Sequence, residues 1–238
     1  MESLFNSFKT VLWPQRCMFC GEPMFDKADS TCERCVDTLP YVTGKICTSC
    51  GRGRSECTCS SSTLYYDKAV APFYFEHGVR KCIHSLKFRS RTELAEPLSE
   101  YLLSAFNKHY SDENFDFITC VPLHPDDLKQ RGYNQSHLLA ESLSKKLNIE
   151  FKSDVLRKIY HTEKQSGALP LERSGNVLGV FDVDENIDLN NKKILLVDDI
   201  ETTGSTLSEC GKMLFLAGAE KVCCLSVAVT KLKKKGRN

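Results

Sequence analysis

The chain has 238 residues, 41% hydrophobic and 26% charged, with a formal net charge of +1. That length supports one sizeable core plus an appendage, and the apolar content argues against an intrinsically disordered chain. Near-zero net charge argues against a surface generally coated for nucleic acid, although charge can still be arranged locally.

The first residues, MESLFNSFKTVLWPQ, lack the basic start, apolar core and small-residue cleavage site of a signal peptide. No apolar run approaches the roughly 18 residues of a spanning helix. The expectation is therefore a cytoplasmic protein. Leu4, Phe5, Phe8, Val11 and Leu12 fall on one face of a first helix, as a packing stripe or a partner-binding one.

Eight of the thirteen cysteines lie before residue 60. Without an export signal this density points to metal ligands rather than disulfides. Cys17 and Cys20, like Cys47 and Cys50, have the two-residue gap that turns both thiolates toward one tetrahedral ion, with Gly21 and Gly51 permitting the tight turn behind them. The economical assignment is one zinc site from Cys17, Cys20, Cys32 and Cys35, and a second from Cys47, Cys50, Cys57 and Cys59. Cys57 and Cys59 are separated by one residue only, and other ways of sharing the pairs stay open, as does a redox role. Structural zinc, folding a segment too short to bury a core, is the simplest reading.

Ser60, Ser61 and Ser62 form a short polar hinge, so the expected domains are residues 1–62, a zinc-ribbon-like head, and 63–238. Beyond the hinge, helix and strand signals alternate. Residues 69–75 read as a strand and 92–108 as an amphipathic helix with Leu94, Leu98, Leu102 and Ala105 on one side. Between them Arg80, Lys81, Lys87, Arg89 and Arg91, interleaved with His84 and Phe88, make a basic stretch: a solvated face, or contacts to a phosphate backbone. Residues 117–121 read as a strand, followed by a proline-rich turn and a helix over 134–147 with Asn134 as N-cap. Residues 157–176, without a clear period and containing Gly167, Pro170 and Gly175, read as a flexible loop. Strands at 193–197 and 222–229 flank a helix beginning near Gly204, and the last residues, KLKKKGRN, read as a solvated tail. The alternation predicts an α/β domain with a mainly parallel sheet and flanking helices.

Within it, ILLVDDIETTGSTL, residues 194–207, carries the chemistry. A buried strand ends in Asp198 and Asp199, and the chain turns through Glu201, Thr202, Thr203 and Gly204 into a helix. Ligands of open α/β sheets bind at that edge. Unpaired N–H groups at the helix start suit a phosphate, with Thr202, Thr203, Ser205 and Thr206 adding hydroxyl donors and Gly204 allowing close approach. The two carboxylates make sense if they accept hydrogen bonds from sugar hydroxyls or hold a hydrated Mg²⁺. The plainer alternative is Asp and Thr capping a helix.

This strand, Asp-Asp and Thr-Thr-Gly-x-Thr pattern resembles the signature of type I phosphoribosyltransferases, which bind phosphoribosyl pyrophosphate (PRPP). CVPLHPDDLKQRGYNQSHLLA (residues 120–140), IHSLKFRS (83–90) and HTEKQSGALPLERSGNVLGVF (161–181) are similar to segments of the ComF family, as is the cysteine-rich head. The resemblance implies a zinc-binding head joined to a phosphoribosyltransferase-like domain and an association with DNA uptake. It implies that residues 201–206 hold the ribose 5-phosphate and that Asp198 and Asp199 hold the ribose hydroxyls. Val121, Pro122, Leu123 and His124 match the pyrophosphate loop, with Lys129 and Arg131 contacting pyrophosphate and the 157–176 loop, through Gln165 and Arg173, closing over the site. His124 is equally readable as a satisfied turn residue. No motif reads an acceptor. Three functions follow: a Mg²⁺-dependent PRPP transferase, a single-stranded DNA-binding accessory of DNA-uptake proteins regulated by PRPP, and a PRPP-sensing interaction protein.

Overall fold

A computed structural model describes residues 14–24, 30–57, 59, 64–160 and 179–232. Predicted features at residues 1–13 (the first helix), 60–63 (the hinge and the domain boundary), 161–178 (most of the flexible loop, with Gln165 and Arg173) and 233–238 (most of the tail) lie outside the described residues. Among the described residues, no helix is long and apolar enough to cross a membrane.

The central strand is β8, Lys193–Glu201. Its run KILLVDDIE puts Leu195 and Val197 into one hydrophobic cluster and Ile194 and Leu196 into another. That is the period-two alternation of a strand covered on both faces. All four are 0% exposed. On one side β8 pairs in parallel with β5, Phe117–Cys120; on the other it pairs in parallel with β9, Lys221–Val229. Beyond β9, the predicted strand over 69–75 is two short ones, β3 (Lys68–Val70) and β4 (Phe73–Tyr74), both parallel to β9 and in one continuous register. The break falls at Ala71 and Pro72, where proline has no N–H to give the ladder.

Two helices cover one face: α3, Ala95–His109, and α5, Gln135–Leu147. Their buried Leu98, Leu102, Leu139 and Leu143 share a cluster with Leu195 and Val197. The other face carries α6, Ser205–Leu216, through Leu207, Cys210 and Leu214. The sheet is therefore mainly parallel with flanking helices, as expected. An antiparallel pair, β6 (Leu156–Lys158) with β7 (Phe181–Val183), was not anticipated, and it takes the first two residues of the predicted flexible loop into a strand.

Beyond the head, two helices lie where no helix was predicted. Most of the basic stretch lies in α2, His77–Phe88, whose Val79, Cys82, Ile83 and Leu86 are buried while Arg80, Lys81, His84 and Phe88 face solvent; Arg89 and Arg91 follow it. The proline-rich turn contains α4, Pro125–Arg131, with Pro125 in its first turn and Gly132 closing it.

The head is built from the pair β1 (Gln15–Arg16) and β2 (Pro23–Met24), the short helix α1 (Glu33–Thr38) and a second cysteine turn. It lies against the outer edge formed by β3 and β4. Tyr41 bridges Phe73, Gly51 bridges Val70, and the Ala69 N–H donates to the Thr48 carbonyl at 2.8 Å. Phe73 packs against Phe19, Tyr41 and Tyr101 at ring separations of 5.9, 5.1 and 4.9 Å. An edge strand's free N–H and C=O groups invite foreign pairing, and here the head occupies them.

Residues 64–66 cross over α6, where the Tyr65 N–H donates to Ser208 Oγ at 3.0 Å. A Cβ at Gly211 would stand 1.8 Å from the Tyr65 carbonyl oxygen, a backbone atom that cannot swing away. Gly211→Ala is therefore expected to lower the urea midpoint, with a loss of about 3 kcal/mol at unchanged slope. A wild-type midpoint would show that the crossing is looser than described.

Candidate functional site

The eight head cysteines gather as two sets, Cys17, Cys20, Cys32 and Cys35, and Cys47, Cys50, Cys57 and Cys59, with all sulfurs of a set within 4.8 Å of one another. This is the pairing expected from the spacing, including the set with the one-residue gap. Tetrahedral Zn–S bonds of about 2.3 Å require sulfurs about 3.8 Å apart. Cys20 and Cys32 are 3.7 Å apart, as are Cys50 and Cys57. Backbone N–H groups of Cys32 and Cys59 donate to Cys17 Sγ and Cys57 Sγ at 3.4 Å, which suits thiolate rather than thiol. Both turns close on glycine in the left-handed region, Gly21 at φ 80° and Gly51 at φ 65°. The donor chemistry fits structural zinc in both sets and leaves no open position for a substrate. The other five cysteines are buried in the core, and burial pushes Cys82, Cys120 and Cys223 up to about 12, which makes them inert packing groups.

The end of β8 is a different environment. The strand continues past the predicted 193–197 to Glu201, so Asp198, Asp199 and Glu201 are all buried within it. Asp198 Oδ1 accepts from Ser136 Oγ at 2.8 Å and from the Asp199 N–H at 2.9 Å. Burial, with the Asp199 charge adding to it, still pushes Asp198 up to about 7. Lys87 Nζ lies 3.7 Å from Asp199 Oδ2, and Arg52 Nη1 lies 3.6 Å from Glu201 Oε1. Burial pushes Glu201 up to about 8, against the pull of Arg52 and with help from Asp198.

Asp199 Oδ2, both Glu201 oxygens and Tyr66 Oη are buried and accept or donate no hydrogen bond. Tyr66 Oη and Glu201 Oε1 lie 2.9 and 3.5 Å from where a Cβ of Gly204 would stand, so these two orphaned atoms meet at the loop, with Asp199 two residues before Glu201 on the same strand. Buried polar groups are nearly always paired, and a cluster of exceptions calls for a ligand or ion. Gly204, at φ 80°, caps α6, whose first-turn N–H groups have no helical acceptor. Thr203 Oγ1 and Ser205 Oγ are 2.8 Å apart, and the Ser205 N–H points at Thr203 Oγ1 at 3.4 Å. The loop of Glu201, Thr202, Thr203, Gly204, Ser205 and Thr206 thus presents amides and hydroxyls beside the carboxylates.

Val121, Pro122, Leu123 and His124 follow β5, the strand next to β8. The Val121 N–H donates to the Val197 carbonyl at 3.0 Å, and Asn134 Nδ2 donates to the Val121 carbonyl at 2.9 Å. Asn134 is the N-cap of α5, accepting from the Ser136 N–H at 3.0 Å, as predicted. His124 caps α4: its Nδ1 accepts from the Asp126 N–H at 3.3 Å, the turn role. Lys129 and Arg131 do not converge. Lys129 is exposed on α4, whereas Arg131 donates to Gln135 and stands 5.3 Å from the Phe88 ring. Residues two apart on a helix point in different directions.

Sequence reasoning missed Arg52, Tyr66 and Ser136 and gave Lys87 to the basic surface. Ser136 was detectable as a first-turn residue of α5 beside the predicted ligand edge. Arg52, in the second cysteine turn, carried no signal.

A carboxyl whose pKa is raised on folding holds its proton more tightly folded than unfolded. Its contribution is complete below its ordinary value of 4.5 and is lost as pH rises toward about 8 for Glu201. Ligand-free protein should lose urea stability between roughly pH 5 and pH 8, and Glu201→Gln should flatten that loss. Parallel profiles would show that Glu201 is not a buried carboxyl of this kind.

Residues 8–64 match the family described as double zinc ribbon domain, and residues 134–237 match phosphoribosyl transferase domain. The chain is 28% identical over 218 residues to Competence protein ComFC of Bacillus subtilis (strain 168), covering 87% of this chain and 85% of that one. It is 27% identical over 220 residues to Competence protein F of Haemophilus influenzae, covering 87% and 93%. It is also 27% identical over 217 residues to DNA utilization protein YhgH of Escherichia coli (strain K12), covering 88% and 94%. A double zinc ribbon followed by a phosphoribosyltransferase domain, with these relatives along most of its length, bears out the resemblance to the ComF family.

Proposed function

We propose that the end of β8 binds PRPP with Mg²⁺, and that the protein is a cytoplasmic phosphoribosyltransferase-like member of the DNA-uptake machinery. The observation that carries this reading is that Tyr66 Oη and Glu201 Oε1, buried without hydrogen-bond partners, meet at Gly204 in a loop whose amides suit phosphate, with the orphaned Asp199 Oδ2 on the strand leading into it. In this reading Thr202, Thr203, Gly204, Ser205 and Thr206 hold the 5-phosphate. Asp198 and Asp199 accept from the ribose hydroxyls, directly or through the hydration shell of the ion. Bound Mg²⁺ supplies positive charge that offsets the phosphates, and carboxylate oxygens are the ligands it prefers.

Val121, Pro122, Leu123 and His124 take the pyrophosphate side, with Arg131, held by Gln135 in the first turn of α5, as the contributing cation rather than the exposed Lys129. In the transfer, the C1–O bond to pyrophosphate breaks with its electron pair leaving on oxygen. An acceptor lone pair then forms the new bond to C1, and the acceptor gives up its proton. The division into a head over residues 1–62 and a transferase domain over 63–238 belongs to this proposal.

Calorimetric titration of Mg²⁺ and PRPP should show micromolar binding, on the order of −8 kcal/mol. Asp198→Asn with Asp199→Asn, which keeps shape and removes charge, should abolish it. Absence of heat in the wild type would refute the PRPP reading.

A second activity, binding of single-stranded DNA, is favoured by the exposed face of α2. Phe88 is 53% exposed, with His84 at 4.8 Å, Arg131 at 5.3 Å and a cavity of about 240 Å³ beside it. An aromatic flanked by cations is a sequence-tolerant stacking platform. Lys87 and Arg91 are engaged with Asp199 and Glu93, so Arg80, Lys81, Phe88 and Arg89 are the informative positions. Replacing all four by alanine should weaken binding to an oligonucleotide and make the salt dependence shallower by about 2 in slope. Unchanged binding and slope would place DNA elsewhere.

A further inference from the structure

We propose that Arg52 is a positioning residue that couples the second four-cysteine site to the phosphate loop. Arg52 follows Cys50 and Gly51 in the cysteine turn, and its carbonyl accepts from the Cys47 N–H at 2.7 Å. Its backbone therefore belongs to the metal turn. Its side chain belongs to the transferase domain: it is 1% exposed, and Nε donates to the Thr230 carbonyl at 2.7 Å. Nη2 donates to the Thr202 carbonyl, while Nη1 donates to Cys50 at 3.4 Å and lies 3.6 Å from Glu201 Oε1. Thr230 returns to the same loop, its hydroxyl donating to the Thr202 carbonyl at 3.1 Å and its N–H to the Glu201 carbonyl at 2.9 Å.

One guanidinium thus ties the ends of β8 and β9 to a metal turn remote in sequence. A planar fork of five donors suits this task, because it serves several fixed acceptors at once. A buried arginine is stable only while those acceptors stay in place. The cysteine turn that carries it is short and has no core of its own, so four thiolates gathered on zinc are what hold its backbone. Zinc at Cys47, Cys50, Cys57 and Cys59 then fixes Arg52, and Arg52 fixes Glu201 and Thr202 at the mouth of the loop. The first cysteine set packs through Phe19 on Phe73 and Tyr101 instead, away from this contact. Binding linkage is reciprocal, so a ligand on the loop also tightens zinc at the second site.

The consequence for ligand rests on the PRPP reading, but the coupling itself is measurable without ligand. Hydrogen exchange is followed on the full zinc-loaded chain for wild type, Arg52→Met, Arg52→Lys, Cys59→Ser and Cys20→Ser. The two serine variants each remove one exposed cysteine, one per site. Arg52→Met should retain zinc at both sites yet speed exchange over residues 201–206 about tenfold, with Arg52→Lys in between. Cys59→Ser, which removes a ligand of the second site, should also speed exchange over residues 201–206, and Cys20→Ser should not. Exchange over α3 and α5 should stay at the wild-type rate in all four.

Wild-type exchange at 201–206 in both Arg52→Met and Cys59→Ser would overturn the coupling. So would a rise spread evenly over the chain, which would mark Arg52 as a general stabiliser. With PRPP and Mg²⁺, Arg52→Met should bind about tenfold more weakly. A wild type that binds no PRPP would defeat the ligand reading while leaving the exchange result to decide the coupling.

Discussion

Three carboxylates, Asp198, Asp199 and Glu201, lie at the end of a strand buried on both faces, and burying charge is the costliest arrangement in the fold. The cost is only partly offset from within. Ser136 and the Asp199 N–H serve Asp198, while Lys87 and Arg52 stand beyond hydrogen-bond distance of Asp199 and Glu201. Protonation relieves the remainder, which is why Asp198 and Glu201 are pushed toward neutrality. A ligand that brings hydroxyls and a divalent cation would relieve it while leaving the carboxylates charged. The same unpaired groups that are costly to bury are what would make the site selective.

The surrounding structure meets that site from several directions. α2 delivers Lys87, the first turn of α5 delivers Ser136, residues 64–66 deliver Tyr66, and the head delivers Arg52. The head also covers the β3 and β4 edge, so it performs two jobs with one docking surface. The zinc ribbon and the phosphoribosyltransferase architecture are therefore packed against each other, through the β3 and β4 edge and through Arg52.

Much of this was legible in the chain. The aliphatic run of β8, the Asp pair, the Asn134 cap and the two-residue cysteine gaps are local signals, set by periodicity or by ligand geometry over a few residues. The missing pieces are of two kinds. α2 does carry a helical period, Val79, Cys82, Ile83 and Leu86, but the interleaved Arg80, Lys81 and Lys87, with Arg89 and Arg91 just beyond, drew the reading toward the surface. Arg52 and Tyr66 act across more than a hundred residues, and nothing in their neighbours announces a distant partner. Lys129 and Arg131, two residues apart, lie on α4, and helical geometry that a loop reading did not contain turns them in different directions.

The central claim is that the end of β8 and the start of α6 form a ribose-phosphate site, and a crystal structure of the zinc-loaded protein with ribose 5-phosphate tests it most directly. The phosphate is expected on the amides and hydroxyls of residues 202–206, with ribose hydroxyls against Asp198 and Asp199. A sugar phosphate bound elsewhere, or a fully loaded crystal with that loop unchanged and vacant, would contradict it.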